Sequence, residues 1–188
     1  MTREVIWVQS FIARIGSKLA ENDRQLQAVA GKKLPYAYEV LHYRGDDSPE
    51  SSSMDYETDI LVLETETNRW KPRVVVETKL GSVTTHDAIT YSQKSATHKQ
   101  VHPYLRYGIL LGDRKHYPLP GRLFRHGSHF DFMVSWVSDE PSVDEFNSFI
   151  NLLLEEVAAS RLLEEIIYES RSQKRKRYTL LQKRLVLR

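Results

Sequence analysis

The stretch that most constrains this chain is Tyr56 to Gly81, in which two apolar runs flank a short polar gap. The first run is Ile60-Leu61-Val62-Leu63 and the second is Val74-Val75-Val76. Each is built of β-branched and aliphatic residues bounded by turn formers, the pattern of strands in a mostly buried sheet. The gap through Asn68 and Trp70 predicts a hairpin turning near Asn68 or Arg69. Such a turn pairs residues whose numbers sum to about 136 to 138, which sets Asp59 opposite Glu77 or Lys79. Three charges then meet at one end of an apolar hairpin.

Side chains two apart on a strand share a face, so Glu77 and Lys79 point the same way as Val75. Burying two carboxylates and an ammonium there is costly unless they have partners or a task. Neighbouring carboxylates make a hard-oxygen site for Mg²⁺, with Mn²⁺ a possible substitute, and the Thr78 carbonyl is a further candidate ligand. A metal held by Asp59 and Glu77 would acidify bound water and stabilise charge on a phosphodiester, while Lys79 holds the nucleophile or the developing negative charge. The competing reading is a cross-strand salt bridge at a sheet edge, which contributes little.

With Asp59 as the first acid and Glu77-Thr78-Lys79 as an E-x-K element, the chain resembles the PD-(D/E)xK nuclease superfamily. The nearest likeness is to restriction endonucleases, including the nuclease domain of type I restriction R subunits. Thr58 stands where the family name has proline, which leaves the ligands untouched. The resemblance implies a restriction endonuclease-like α/β core, a central mixed sheet of about five strands flanked by helices, over roughly residues 1–140. It also implies that a glutamine on the helix after E-x-K lies near the active site; Gln93 has that place, and a surface glutamine is the other reading. Asp113-Arg114-Lys115 mimics the motif but falls in a turn region rich in Gly and Pro.

In order along the chain, Val5, Val8, Ile12, Ile15 and Leu19 recur every three or four residues, predicting a helix from Glu4 to about Asn22 with Trp7 and Phe11 widening its apolar face. Glu21 is its candidate extra acid, with a solvated side chain as the alternative. Gln25 to Lys33 reads as helix or turn, stopped by Gly31. Leu34 to Tyr43 alternates and reads as the first strand. Glu39 inside it is either a metal ligand or an acid supporting the ligands from behind, or a surface glutamate of an edge strand. Arg44 to Ser53 reads as a mobile loop.

Thr84 to His102 predicts a polar helix capped by Thr85 and stopped at Pro103. His98 and His102 on it have the spacing of zinc ligands, but the preferred reading is surface or DNA-facing histidines. Tyr107 to Gly112 predicts a strand reached by a helical crossover, His116 to Ser128 a basic loop, and His129 to Val137 a fifth strand. From Ser142, with Glu145 completing a capping box, one long helix carries an apolar stripe through Ile167. This helix and the tail, residues 141–188, are expected to pack on the core or on a partner subunit.

The chain has 188 residues, enough for one domain with a sizeable core. It has no cysteine, which removes thiol chemistry and disulfides. No apolar run is long enough to span a bilayer, so the expectation is no membrane association and a cytoplasmic location. The net charge of +2 hides an asymmetry: residues 171–188 carry eight of the 27 Lys and Arg, leaving 19 against 25 Asp and Glu in residues 1–170, a balance of −6. A basic tail on an acidic body suits a polyanion.

These readings converge on a Mg²⁺-dependent DNA endonuclease of restriction type. The partners expected are DNA, a second copy through the C-terminal helix, and a methyltransferase or helicase subunit. The alternatives are a non-catalytic DNA-binding or assembly module of the same fold, and a nuclease acting on RNA.

Overall fold

A computed structural model describes residues 2–116, 118–169, 171–174, 176–182 and 185–187. It is an α/β structure with eleven helices and strands among the described residues. In chain order these are α1 (Arg3–Asn22), β1 (Leu26–Val29), β2 (Lys32–Tyr43), β3 (Pro49–Thr58), β4 (Ile60–Glu66), β5 (Arg69–Leu80), α2 (Thr85–Val101), β6 (Arg106–Gly112), α3 (Gly121–His126), β7 (Phe132–Ser135) and α4 (Val143–Glu169).

Five strands form one mixed sheet in the order β1-β4-β5-β6-β7. The expected hairpin is its centre: β4 and β5 pair antiparallel with Ile60 opposite Val76 and Val62 opposite Val74, a register sum of 136. A bulge follows Val62, and Asn68 closes the turn at φ 65°, a conformation asparagine tolerates. β5 and β6 run parallel, as do β6 and β7. Seventeen residues of α2 make the crossover that the first parallel pair requires.

Alternation in the central strands divides the core into two faces. Ile60, Val62, Val74, Val76 and Leu110 pack with Trp7, Phe11, Ile15 and Leu19 of α1 and with Phe146, Phe149, Ile150, Leu153 and Val157 of α4. Leu61, Leu63, Val75 and Tyr107 face the other way, with Leu34 and Leu105. Ser142 and Glu145 cap α4 as anticipated, the Ser142 N–H donating to Glu145 Oε2 at 2.8 Å. From Phe146 to Ser160 the buried residues of this helix pack into the core.

Several elements differ from the sequence reading. The first strand of the main sheet is Leu26–Val29, expected as helix or turn; four residues are too few to display a period. The alternating stretch after it is instead half of a separate two-stranded ribbon, β2 with β3. Pro49–Ser53, expected as loop, is strand, because a ribbon with both faces toward solvent can use serine and glutamate as readily as valine. Thr84, not Thr85, caps α2, in a reciprocal box with Asp87. Gly121–His126 forms a short helix within the expected loop, and the fifth strand contracts to Phe132–Ser135. Of the basic tail, Arg175, Lys183, Arg184 and Arg188 lie outside the described residues, and Lys176 pairs with Glu165 at 2.7 Å. No described helix is long and apolar enough to cross a membrane.

Candidate functional site

Asp59 is the single residue between β3 and β4, at the seam where ribbon becomes sheet. Its neighbour Thr58 is fully buried and donates its hydroxyl to the Lys32 carbonyl at 2.7 Å, while the Gly31 N–H donates to the Thr58 carbonyl at 3.0 Å. The base of the ribbon is thus pinned immediately before Asp59. Across the hairpin, the backbone N–H and hydroxyl of Thr78 both donate to Asp59 Oδ2, at 2.7 and 2.9 Å. The sequence pointed to Thr78 as a carbonyl ligand; its visible task is to hold the first acid in place.

Glu77 is 1% exposed at the carboxyl end of β5. Tyr107, two residues before its register partner Ile109 on β6, donates its hydroxyl to Glu77 Oε1 at 2.5 Å. Lys94 of α2 brings its ammonium to 3.7 Å of the same oxygen. Burial and then the negative field of Asp59 push the Glu77 carboxyl up to about 7, against the opposing pull of Lys94 and Tyr107. Burial, with Glu77 next, raises the Tyr107 hydroxyl well above the ordinary tyrosine range, so it stays a donor.

Lys79 lies at the rim, about a quarter exposed, 3.8 Å from Glu4 of α1 and 3.8 Å from Asp87 of α2. Tyr91 stands among these groups. Burial first, then the fields of Glu77, Asp59, Asp87 and Glu4, raise its hydroxyl. The site therefore comprises four carboxylates, two ammoniums and two tyrosines from α1, β5, β6, α2 and the β3–β4 link.

Thr78 holds Asp59, Asp59 lies close enough for its field to act on Glu77, and Lys79 faces Glu4 and Asp87 at the rim. Gln93 and Glu39 do not join them. Gln93 is exposed, because the face of α2 turned to Glu77 is the i, i+4, i+7 series Asp87, Tyr91, Lys94, and residue 93 lies about 200° around the helix from Tyr91. Glu39 is exposed on the ribbon opposite Ser52. Glu21 pairs with Lys18 at the surface, and Glu4 is the acid that α1 brings to the cluster.

His98, read as a surface histidine, is fully buried and stacks on Tyr107 with ring centroids 5.5 Å apart; burial lowers its pKa. It steadies the ring that holds Glu77. Lys94 and Tyr107 had sequence signals, since Tyr107 shares a face with Glu77 in a parallel register and Lys94 continues the helical series from Asp87.

Among the described residues, no group of three or more His, Asp or Glu side chains is arranged to hold a metal ion alone. The pair Asp59 and Glu77 offers the donor type that a hard divalent cation takes. Both donors are carboxylate oxygens, and the raised Glu77 pKa marks an acid that gains from positive charge nearby. Mg²⁺ commonly takes one or two carboxylates and completes its octahedron with water and phosphate oxygens. No protein-family model matches the chain, and no curated protein sequence matches it.

The protonation of Glu77 has a measurable sign. Its pKa is about 7 when folded and 4.5 ordinarily, so its contribution to stability is fully present below 4.5 and is lost as pH rises to about 7. The shift corresponds to something on the order of 3 kcal/mol. Relative to wild type, Glu77→Gln is expected to gain roughly 5 to 10 °C in Tm between pH 5 and pH 8, read by calorimetry in EDTA. A pH-independent difference would mean that Glu77 is solvated.

Proposed function

We propose that the chain is a metal-dependent nuclease of the PD-(D/E)xK type, with a restriction endonuclease-like fold, acting on DNA. The observation that carries this reading is Glu77, a 1% exposed carboxylate held in the field of Asp59 at the end of the central hairpin. A surface salt bridge has no use for such an arrangement, whereas strongly perturbed acids cluster where chemistry is done. Set aside the ribbon, and the order α1, β1, β4, β5, α2, β6 also supports the likeness.

In this reading Asp59 and Glu77 would hold Mg²⁺, or Mn²⁺ in its place, with the Thr78 carbonyl as a further ligand. The ion would supply Lewis acidity and an acidified water. Thr78 fixes the Asp59 carboxylate, and Tyr107, backed by His98, fixes that of Glu77, so neither acid must reorganise on binding. Lys94 compensates the Glu77 charge when no cation is bound. Lys79 presents its ammonium to the scissile phosphate and stabilises the negative charge that builds there.

Purified protein incubated with supercoiled plasmid is expected to produce nicked and linear DNA with Mg²⁺ or Mn²⁺ and none in EDTA. Binding of the plasmid without cleavage in either metal, from pH 6 to pH 9, would establish a non-catalytic DNA-binding module instead. A parallel incubation with structured RNA separates the two substrates by sugar.

A further inference from the structure

From Arg114 to Phe130 the chain has four Arg and Lys, three His and no Asp or Glu, on a body that is otherwise acidic. None of Arg114, Lys115, Arg122 and Arg125 has a carboxylate partner among the described residues. Two of them instead tie the segment to the turn that follows Lys79. Arg114 Nη1 donates to the Gly81 carbonyl at 2.7 Å, and Arg122 Nη1 donates to the Val83 carbonyl at 2.9 Å. Each guanidinium has five N–H donors, so both retain donors to spare after these bonds. Lys115 and Arg125 are exposed, and between the arginines of α3 stands Phe124, 57% exposed while its neighbour Leu123 is buried.

We infer that Arg114, Lys115, Arg122 and Arg125 receive the phosphate backbone of the nucleic acid as it enters the site, and that Phe124 is the face on which an unpaired base stacks. Cations spared by acids and anchored within two to four residues of Lys79 suit a polyanion whose phosphate must reach that ammonium. An aromatic ring exposed among them is the combination used for single strands, where every base offers a π-face whatever its sequence. The preferred substrate is therefore a single-stranded or locally opened stretch beside the scissile bond. This inference extends the nuclease reading, and it is tested without catalysis.

The test is fluorescence anisotropy in EDTA with labelled oligomers of about 20 nucleotides, as single-stranded DNA, single-stranded RNA and duplex DNA, over a salt series. Phe124→Ala is expected to weaken single-strand binding about 5- to 100-fold and to leave duplex binding within about twofold. Lys115→Ala with Arg125→Ala should flatten the slope of log affinity against log salt by about 1.4 on single strands. The ratio of DNA to RNA affinity names the sugar. All three side chains are exposed, so the variants keep the fold, which their Tm checks. Wild-type affinity and slope on every polymer would remove this segment from the nucleic-acid interface, even if cleavage is observed. Equal loss on duplex and single strands with Phe124→Ala would overturn the stacking role. Loss of cleavage in catalytic variants that still bind leaves the inference standing.

Discussion

Lys79→Ala and Glu77→Gln are each expected to lower plasmid cleavage by roughly two to four orders of magnitude while leaving the protein folded. Lys79 stands between Glu4 and Asp87, so its removal takes away a cation and leaves two carboxylates that would repel the phosphate of the proposed substrate. Glu77→Gln keeps the shape and an acceptor for the Tyr107 hydroxyl, but removes the negative charge that a metal requires. In the proposed reaction neither loss would be replaced by tighter substrate binding, because the interaction would concern charge that develops in the transition state. The measurement is the initial rate of supercoiled-to-nicked conversion at saturating Mg²⁺ and matched protein concentration. Lys79→Ala cutting within threefold of wild type would end its assignment as the catalytic lysine.

The second large effect concerns stability. Arg73 is 3% exposed on β5, and its guanidinium meets Glu64 Oε2 at 2.5 Å and Glu164 Oε2 of α4 at 2.7 Å. Glu64 also receives Arg161 of α4 at 2.5 Å, and Arg161 reaches Asp23 after α1 at 2.7 Å. Burial alone would raise the Glu64 carboxyl, but the hydrogen bonds from Arg161 and Arg73 hold it below its usual value. Arg73→Met leaves Glu64 with Arg161 alone and Glu164 with Lys71 alone, each having lost its buried guanidinium partner. A cost of about 3 to 5 kcal/mol is expected, as for other buried pairs that lose one member. For a chain of this size that lowers Tm by roughly 6 to 20 °C. Adding Glu164→Gln to Arg73→Met should recover part of the loss, and a double variant no more stable than the single one would refute the charge explanation.

The parts of this molecule that were legible in the sequence are those whose burial is one-sided or complete. The hairpin of β4 and β5 declared itself because both strands are covered on both faces, so nearly every residue from Ile60 to Leu63 and from Val74 to Val76 is apolar. The turn alone pairs Glu66 with Arg69, a sum of 135 that would set Asp59 opposite Val76; the bulge after Val62 moves the sum to 136 and brings Asp59 to Glu77, and no residue type announces that bulge. β1 was not legible because its neighbours, rather than its own four residues, make it a strand. The ribbon strand Pro49–Thr58 has almost no burial to record, so its serines read as loop.

Around the site, Gln93 drew attention through residue type and position after E-x-K, whereas the phase of α2 is set by Ala88, Ser92, Ser95 and His98, small or polar residues that conventional periodicity overlooks. Their small size lets the helix approach the sheet. That approach is what delivers Tyr91 and Lys94 to Glu77.

The shared covering of one sheet face by α1 and α4 bears on how the chain is made. Trp7 Nε1 donates to the Asp139 carbonyl, and Arg161 pairs with Asp23, contacts that span 132 and 138 positions of sequence. A ribosome adds about 5 to 20 residues each second, so several seconds pass between the emergence of α1 and that of α4. Throughout that interval Ile60, Val62, Val74 and Val76 have only half their roof, and Glu64 and Arg73 await Glu164 and Arg161. The nascent sheet is thus most adhesive shortly before its last helix arrives.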